Sequence, residues 1–258
     1  MLFHELVVVL GVIFSFVSAL FILSVLIRRN DIADSAWGTG ILLVTGTGFF
    51  LQTEKNLLTT ILFVLVTLWG LRLSVRILLR NIKKDEDYRY KQWRDTWGKW
   101  FYLRSYFQVY LLQGFLMIVV GYPVLHASVY GGTEKIGLLT LAGLVIWCIG
   151  YFFEVIGDWQ LDTFIKNKPA LGVILSTGLW HYTRHPNYFG EVTMWWGIWL
   201  MVAGTNLSFL ALVSPLMITF LILKVSGIPM LEKRFAGNIQ FEAYKKSTNA
   251  FFPWKPKG

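Results

Sequence analysis

The stretch 178-G-L-W-H-Y-T-R-H-P-N-Y-F-G-E-191 gathers two His, one Arg, one Asn, two Tyr and a terminal Glu between hydrophobic runs that carry almost no charge. Proline cannot donate a backbone hydrogen bond and disfavours helix just before it, so a helix is expected to begin near Pro186. Asn187, Glu191 and Trp195 then follow at i, i+4 and i+8 on one face. A polar loop therefore feeds directly into an apolar run of membrane length. Backbone N–H groups at that helix start, with Arg184 and His185, offer a seat for a phosphate or carboxylate. The same loop also reads as an interfacial segment whose aromatics and cations anchor a helix end.

Outward from this loop the chain is mostly apolar. With 55% hydrophobic residues, 17% aromatics and a mean hydropathy of +0.54 over 258 residues, the chain is more apolar than a soluble core requires, and the class is an all-α polytopic membrane protein in one domain, 1–258. Runs near 20 residues cross roughly 30 Å of hydrocarbon. Seven are present, at about 5–27, 35–53, 56–79, 106–126, 136–157, 187–204 and 207–225. The first lacks the cationic start of a signal peptide and is too long for one, so it reads as a retained helix.

Seven transmembrane helices with the N-terminus outside place Arg28 and Arg29, eight cations from Arg80 to Arg104, three from Lys166 to Arg184 and seven from Lys224 to Lys257 on the cytoplasmic side. Only Lys55 and Lys135 fall outside, while Arg72 and Arg76 lie within the third run. The positive-inside rule supports this orientation, with the C-terminus cytoplasmic. The net charge of +9 then lies on one face, beside anionic headgroups or an anionic soluble ligand. Nucleic acid is a poor partner for cations spread over four short segments.

Some chemistries find no support. Cys148 is the single cysteine, and His4, His126, His181 and His185 share no ligand spacing, so no metal site is expected. No G-x-G-x-x-G follows a strand pattern, which excludes a Rossmann fold. His126 reads as interfacial.

Elsewhere, charges recur at helical spacing. In R-R-N-D-I-A-D-S-A-W, Asp31 or Asp34 is placed to cap the second helix; Asp34, near the membrane boundary, is also a candidate proton donor, because apolar surroundings raise a carboxyl pKa. Arg72, Arg76 and Arg80 form a cationic stripe, with Arg80 placed to snorkel and Arg72 deep enough to require an anionic partner. The loop 83–105 reads as an interfacial segment or a lid. Glu154, Asp158 and Asp162 form an acidic row that repels unless donors or cations lie against it, and the arginine stripe is a candidate. Lys166 and Lys168 add phosphate-compatible charge. The aromatic tail from Phe235 to Trp254 is expected to fold back over the cytoplasmic mouth.

R-H-P-N-Y-F-G-E at 184–191, D-W-Q-L-D at 158–162, and a tail carrying Tyr244, Thr248 and Pro253 resemble the membrane steroid 5-alpha-reductase C-terminal family. Within it the chain is most similar to the bacterial branch once described as a domain of unknown function. The same core is similar to the sterol C14-reductases and the lamin B receptor. The resemblance covers about the last 110 residues, and W-G-L-R-L-S with E-D-Y-R-Y extends it weakly to about residue 70. Isoprenylcysteine methyltransferases share R-H-P with a following Tyr, whereas Asn187 and Glu191 favour the reductases.

The resemblance implies a cytoplasmic half, about 70–258, that encloses NADPH, and a steroid or isoprenoid enone entering from the lipid. It also implies cofactor contacts at Asp158, Arg184, Asn187, Tyr188, Glu191 and Trp195, with Glu232 and Tyr244 besides. Arg72, Arg76 and Lys166 are matched to phosphates by charge and depth. The family's early-helix Glu and following Tyr for the substrate carbonyl are not in place: Asp34 and Trp69 stand near those positions. The donor role therefore goes to Asp34, with Tyr182 or Tyr188 in reserve. The alternative is an S-adenosylmethionine-dependent methyltransferase acting on a prenylated thiol or phospholipid amine. A bacterial inner membrane, or the endoplasmic reticulum of a eukaryote, suits either activity.

Overall fold

The computed structural model describes the chain except residues 1, 83, 132–135, 168, 169, 171, 257 and 258, with residue 2 described in its backbone alone. Lys83, Lys135, Lys168 and Lys257, which entered the charge asymmetry, lie outside the described residues. Among the described residues every regular element is helical. In chain order the α-helices are α1 (Leu2–Ile27), α2 (Ile32–Ser35), α3 (Trp37–Leu51), α4 (Leu57–Ile82), α5 (Tyr88–Trp97), α6 (Phe101–Ser105), α7 (Leu112–Tyr130), α8 (Leu138–Lys166), α9 (Leu179–Tyr182), α10 (Pro186–Val202), α11 (Val213–Phe220), α12 (Ile228–Lys233) and α13 (Ile239–Ser247).

All seven apolar runs are helical, but five stretches are both long and apolar enough to cross a membrane: Phe3–Ile27, Leu57–Ile82, Tyr88–Tyr130, Leu138–Lys166 and Ser208–Lys233. The expectation of seven spans is thereby narrowed. Helix α3 has 15 residues and α10 has 17, about 22 and 25 Å at the α-helical rise, short of roughly 30 Å of hydrocarbon.

Backbone contacts divide the chain into two compact units, one of residues 1–136 and 205–214, the other of 137–204 and 215–258. In the first, α3 packs between α1, α4 and α7. A Cβ on Gly70 would lie 2.8 Å from Gly38 O, so these backbones meet without intervening side chains. Ser74 Oγ accepts from Thr39 N beside this crossing at 2.9 Å. His126, expected at an interface, is fully buried, with Nε2 3.1 Å from Thr205 Oγ1.

In the second unit, α8 and α10 run antiparallel against each other. Glycines at 143, 150 and 157 on α8 meet α10 at Gly197, Gly190 and Pro186. A seven-residue glycine spacing keeps one bare stripe toward the partner, and small residues let helix backbones approach closely. A Cβ on Gly150 would lie 2.6 Å from Gly190 O, and one on Gly143 2.6 Å from Gly197 O. This seam positions the candidate site.

Candidate functional site

Helix α8 continues unbroken to Lys166, so Glu154, Asp158 and Asp162 do stand in one row. Glu154 and Asp158 are each 3% exposed. Close approach at the seam puts α10 directly against them: a Cβ on Gly190 would sit 2.9 Å from Glu154 Cβ. One turn along, Asn187 Nδ2 donates to Asp158 Oδ1 at 3.2 Å. Glu191 is half-buried and Trp195 buried on the same helix. Asp158, Asn187, Glu191 and Trp195 are thus gathered on one pair of helices.

The R-H-P loop precedes this pair. Pro186 begins α10 as expected, after a non-helical His185 (φ −141°, ψ 64°). Arg184 is buried, and its side chain makes four hydrogen bonds among the described residues. Its Nε and Nη2 donate to Glu232 Oε1 at 2.9 and 2.7 Å, and its Nη1 donates to Lys245 O at 3.3 Å and to Thr248 O. The side chain expected to meet a phosphate therefore bolts α12 and α13 to the loop. His185 Nε2 lies 3.1 Å from Glu232 Oε1. A carboxylate only accepts, so Nε2 carries the hydrogen and Nδ1 is the bare acceptor. That Nδ1 is buried and makes no hydrogen bond among the described residues. Tyr188 stacks on the imidazole at 5.5 Å.

Burial lowers the His185 pKa from its ordinary 6.5, against the opposing pull of Glu232. Because protonation is penalised in the fold, stability is complete above 6.5 and declines as pH falls toward the lowered value. Melting midpoints between pH 8 and 5 are expected to drop on the acid side, and His185→Gln to flatten the slope. A variant with the wild-type slope would overturn this assignment. The charged groups facing the ring are Glu232 of α12 and its neighbour Arg184.

The tail closes over this loop within the second unit. Arg184 N donates to Asn249 O and Trp254 N to Tyr182 O, both at 2.9 Å. Thr183 Oγ1 donates to Phe251 O at 2.8 Å, and Phe251 rests on Phe189 at 5.6 Å. Tyr244 Oη donates to Trp180 O, and burial pushes its pKa up from 10. Thr183 was not anticipated as a clamp; its place between a His-Tyr pair and an Arg-His pair hides a role that depends on the distant tail. Tyr182, a reserve donor, is 46% exposed.

A second polar cluster lies in the first unit. Asp34 accepts from Arg89 Nη2 at 2.7 Å through Oδ2 and from Tyr90 Oη at 2.9 Å through Oδ1. Burial raises its pKa, with Arg89 pulling the other way. Both oxygens act as acceptors, which suits the ionised acid and does not suit the expected donor. Asp31 precedes α2 but makes no cap; its carboxylate takes Arg29 at 2.8 Å. Glu86 Oε1 accepts from Asn30 N at 2.8 Å and Arg94 Nη2 at 3.1 Å. Asp87 caps α5 through Arg89 N. The E-D-Y-R-Y motif is therefore a latch onto the end of α1, while the loop's Trp93 and Trp97 stack at 5.1 Å.

Arg72 and Arg76 are half-buried on α4 of the first unit, and the acidic row belongs to the second. Lys166 is exposed at the end of α8, and Lys168 lies outside the described residues. Among the described residues no group of three His, Cys, Asp or Glu is placed to hold a metal ion.

Comparison with known proteins bears on this arrangement. An uncharacterized protein of Schizosaccharomyces pombe is 24% identical over 231 residues, a match taking in 78% of this chain and 66% of that protein. No solved structure matches the chain. The family model described as protein of unknown function (DUF1295) matches residues 20–248, which include α8, α10, the R-H-P loop and the latch. The chain belongs to the DUF1295 family.

Proposed function

We propose that the protein is an integral-membrane, NADPH-dependent reductase of an activated C=C bond in a lipophilic enone, of which a 3-oxo-4-ene steroid is the leading candidate. The observation that carries this reading is the Asp158–Asn187 hydrogen bond at 3.2 Å. It joins the two motifs of the reductase resemblance, a buried Asp158 with a half-buried Asn187. Bound NADPH supplies a hydride.

The polar groups beside the seam match the neutral parts of such a nucleotide in hydrogen-bonding chemistry. Asp158 can accept from a ribose hydroxyl or carboxamide N–H, and the Asn187 carbonyl and remaining N–H can meet the complementary atoms. Glu191 and Trp195 extend the same face. Tyr188, held by its stack on His185, can polarise a carbonyl from that face. The tail, pinned by Arg184, Thr183 and Tyr182, excludes water from the loop beneath it. Lys166, exposed at the end of α8, offers a cation for a phosphate.

One observation favours the alternative, a methyltransferase using S-adenosylmethionine. Arg184 is committed to Glu232 and two carbonyls, and S-adenosylmethionine carries no phosphate that needs it. Thermal melting with NADPH, NADH and S-adenosylmethionine separates the two. A ligand present at about 100 times its Kd adds about 2.7 kcal/mol, or roughly 5–10 °C at this chain length. NADPH is expected to give that rise; a flat response to NADPH with a rise for S-adenosylmethionine would replace the reductase with the methyltransferase.

A further inference from the structure

We infer that the polar pocket between α13 and the tail, in the second unit, binds a phosphate monoester. The pocket has a volume of about 400 Å3. Gln240, Ala243, Tyr244 and Ser247 stand at i, i+3, i+4 and i+7, so one face of α13 forms a wall, with Ser176 and His181 also lining it and Pro256 of the tail closing it. Hydroxyl, imidazole and amide groups are thus presented together, and among the described residues no carboxylate side chain lines the pocket. Lys246 precedes Ser247 and Lys255 precedes Pro256, both exposed.

Two features tune this pocket for an anion. The last-turn carbonyls of a helix normally bring negative partial charge. Here Lys245 O and Thr248 O both accept from Arg184 Nη1, so a guanidinium neutralises that end of α13. The acid paired with that guanidinium, Glu232, is itself held by Arg184, His185 and Lys245 Nζ, the last at 3.6 Å. The floor is also rigid, because Tyr244 Oη is turned away onto Trp180 O. Hydroxyls with flanking lysines around a roomy hollow match a tetrahedral dianion, whose oxygens each take several donors.

The inference does not require the reductase reading. A 2′-phosphate of NADPH and a phosphatidate headgroup share this chemistry, and the experiment separates them. Full-length protein in phosphatidylcholine nanodiscs is titrated with inorganic phosphate by calorimetry. Thermal melting is then followed with NADPH, with NADH, and in nanodiscs carrying phosphatidic acid. The variants are Gln240→Glu, which puts a like charge in the wall at an exposed first-turn position that tolerates acids, and Lys246→Gln. Phosphate binding is expected in the wild type and is expected to weaken by about tenfold or more in Gln240→Glu. An NADPH preference over NADH that disappears in the variant assigns the phosphate to the nucleotide. A phosphatidate-dependent rise that disappears assigns it to lipid. Absent phosphate binding, or binding unchanged in both variants, overturns the inference. NADPH binding that is equal in wild type and Gln240→Glu, with no phosphatidate response, also overturns it while leaving the cofactor reading intact.

Discussion

Gly150→Ala is expected to melt well below the wild type, although alanine is the better helix former. The added Cβ would lie 2.6 Å from both Gly190 O and Met194 N. These are backbone atoms of α10, so no side-chain rotation relieves the clash and the two helices must part. Overpacking of this kind costs about 3 kcal/mol, a fall of about 6–12 °C for a chain of this length. Gly11→Ala is the control, because a Cβ there meets nothing within 4 Å. It is expected to gain about 0.5–1 kcal/mol through the ordinary preference for alanine in a helix. Melting both variants in one detergent tests the seam. Equal midpoints for Gly150→Ala and wild type would show that α8 and α10 do not meet through their glycines.

The second large effect concerns Arg184. Its removal leaves Glu232, 13% exposed in its side chain, without its main partner. It also frees the carbonyls of Lys245 and Thr248. Breaking a buried ion pair from one side costs about 3–5 kcal/mol. Arg184→Ala is therefore expected to lower the melting point and to expose the segment after Lys245 to limited proteolysis. Removing the stranded carboxylate as well, in Arg184→Ala with Glu232→Gln, is expected to recover part of the loss, because neighbouring residues couple non-additively. Stability and protease resistance unchanged in Arg184→Ala, with the NADPH response lost, would return the guanidinium to a ligand-binding role.

These predictions rest on contacts of unequal visibility in the sequence. The start of α10 at Pro186 and the row of Glu154, Asp158 and Asp162 were legible, because both follow from local backbone chemistry and a period of 3.6 residues. The membrane class was legible for the same kind of reason: long apolar runs have few other places to go. The glycine seam carried a signal that went unread, a seven-residue spacing at 143, 150 and 157 answered by 190 and 197. The facing glycines lie 40 and 54 residues away, and periodicity within one helix does not name the helix it faces.

The roles of charged side chains were the least legible part. Asp34 near a membrane boundary reads as a candidate acid, and only the approach of Arg89 and Tyr90, 55 and 56 residues on, makes it an acceptor on both oxygens. Arg184 beside a helix start reads as an anion seat until Glu232 and the tail arrive to occupy it.

Sequence alone determined that this chain is helical, apolar and positively charged, and where its polar loops break the helices, since each of these depends on neighbours within a turn or two. Tertiary structure alone decided which buried charges satisfy one another and which face a hollow. A guanidinium or carboxylate takes its role from whichever partner lies within about 3 Å, and in this protein that partner is repeatedly tens of residues distant.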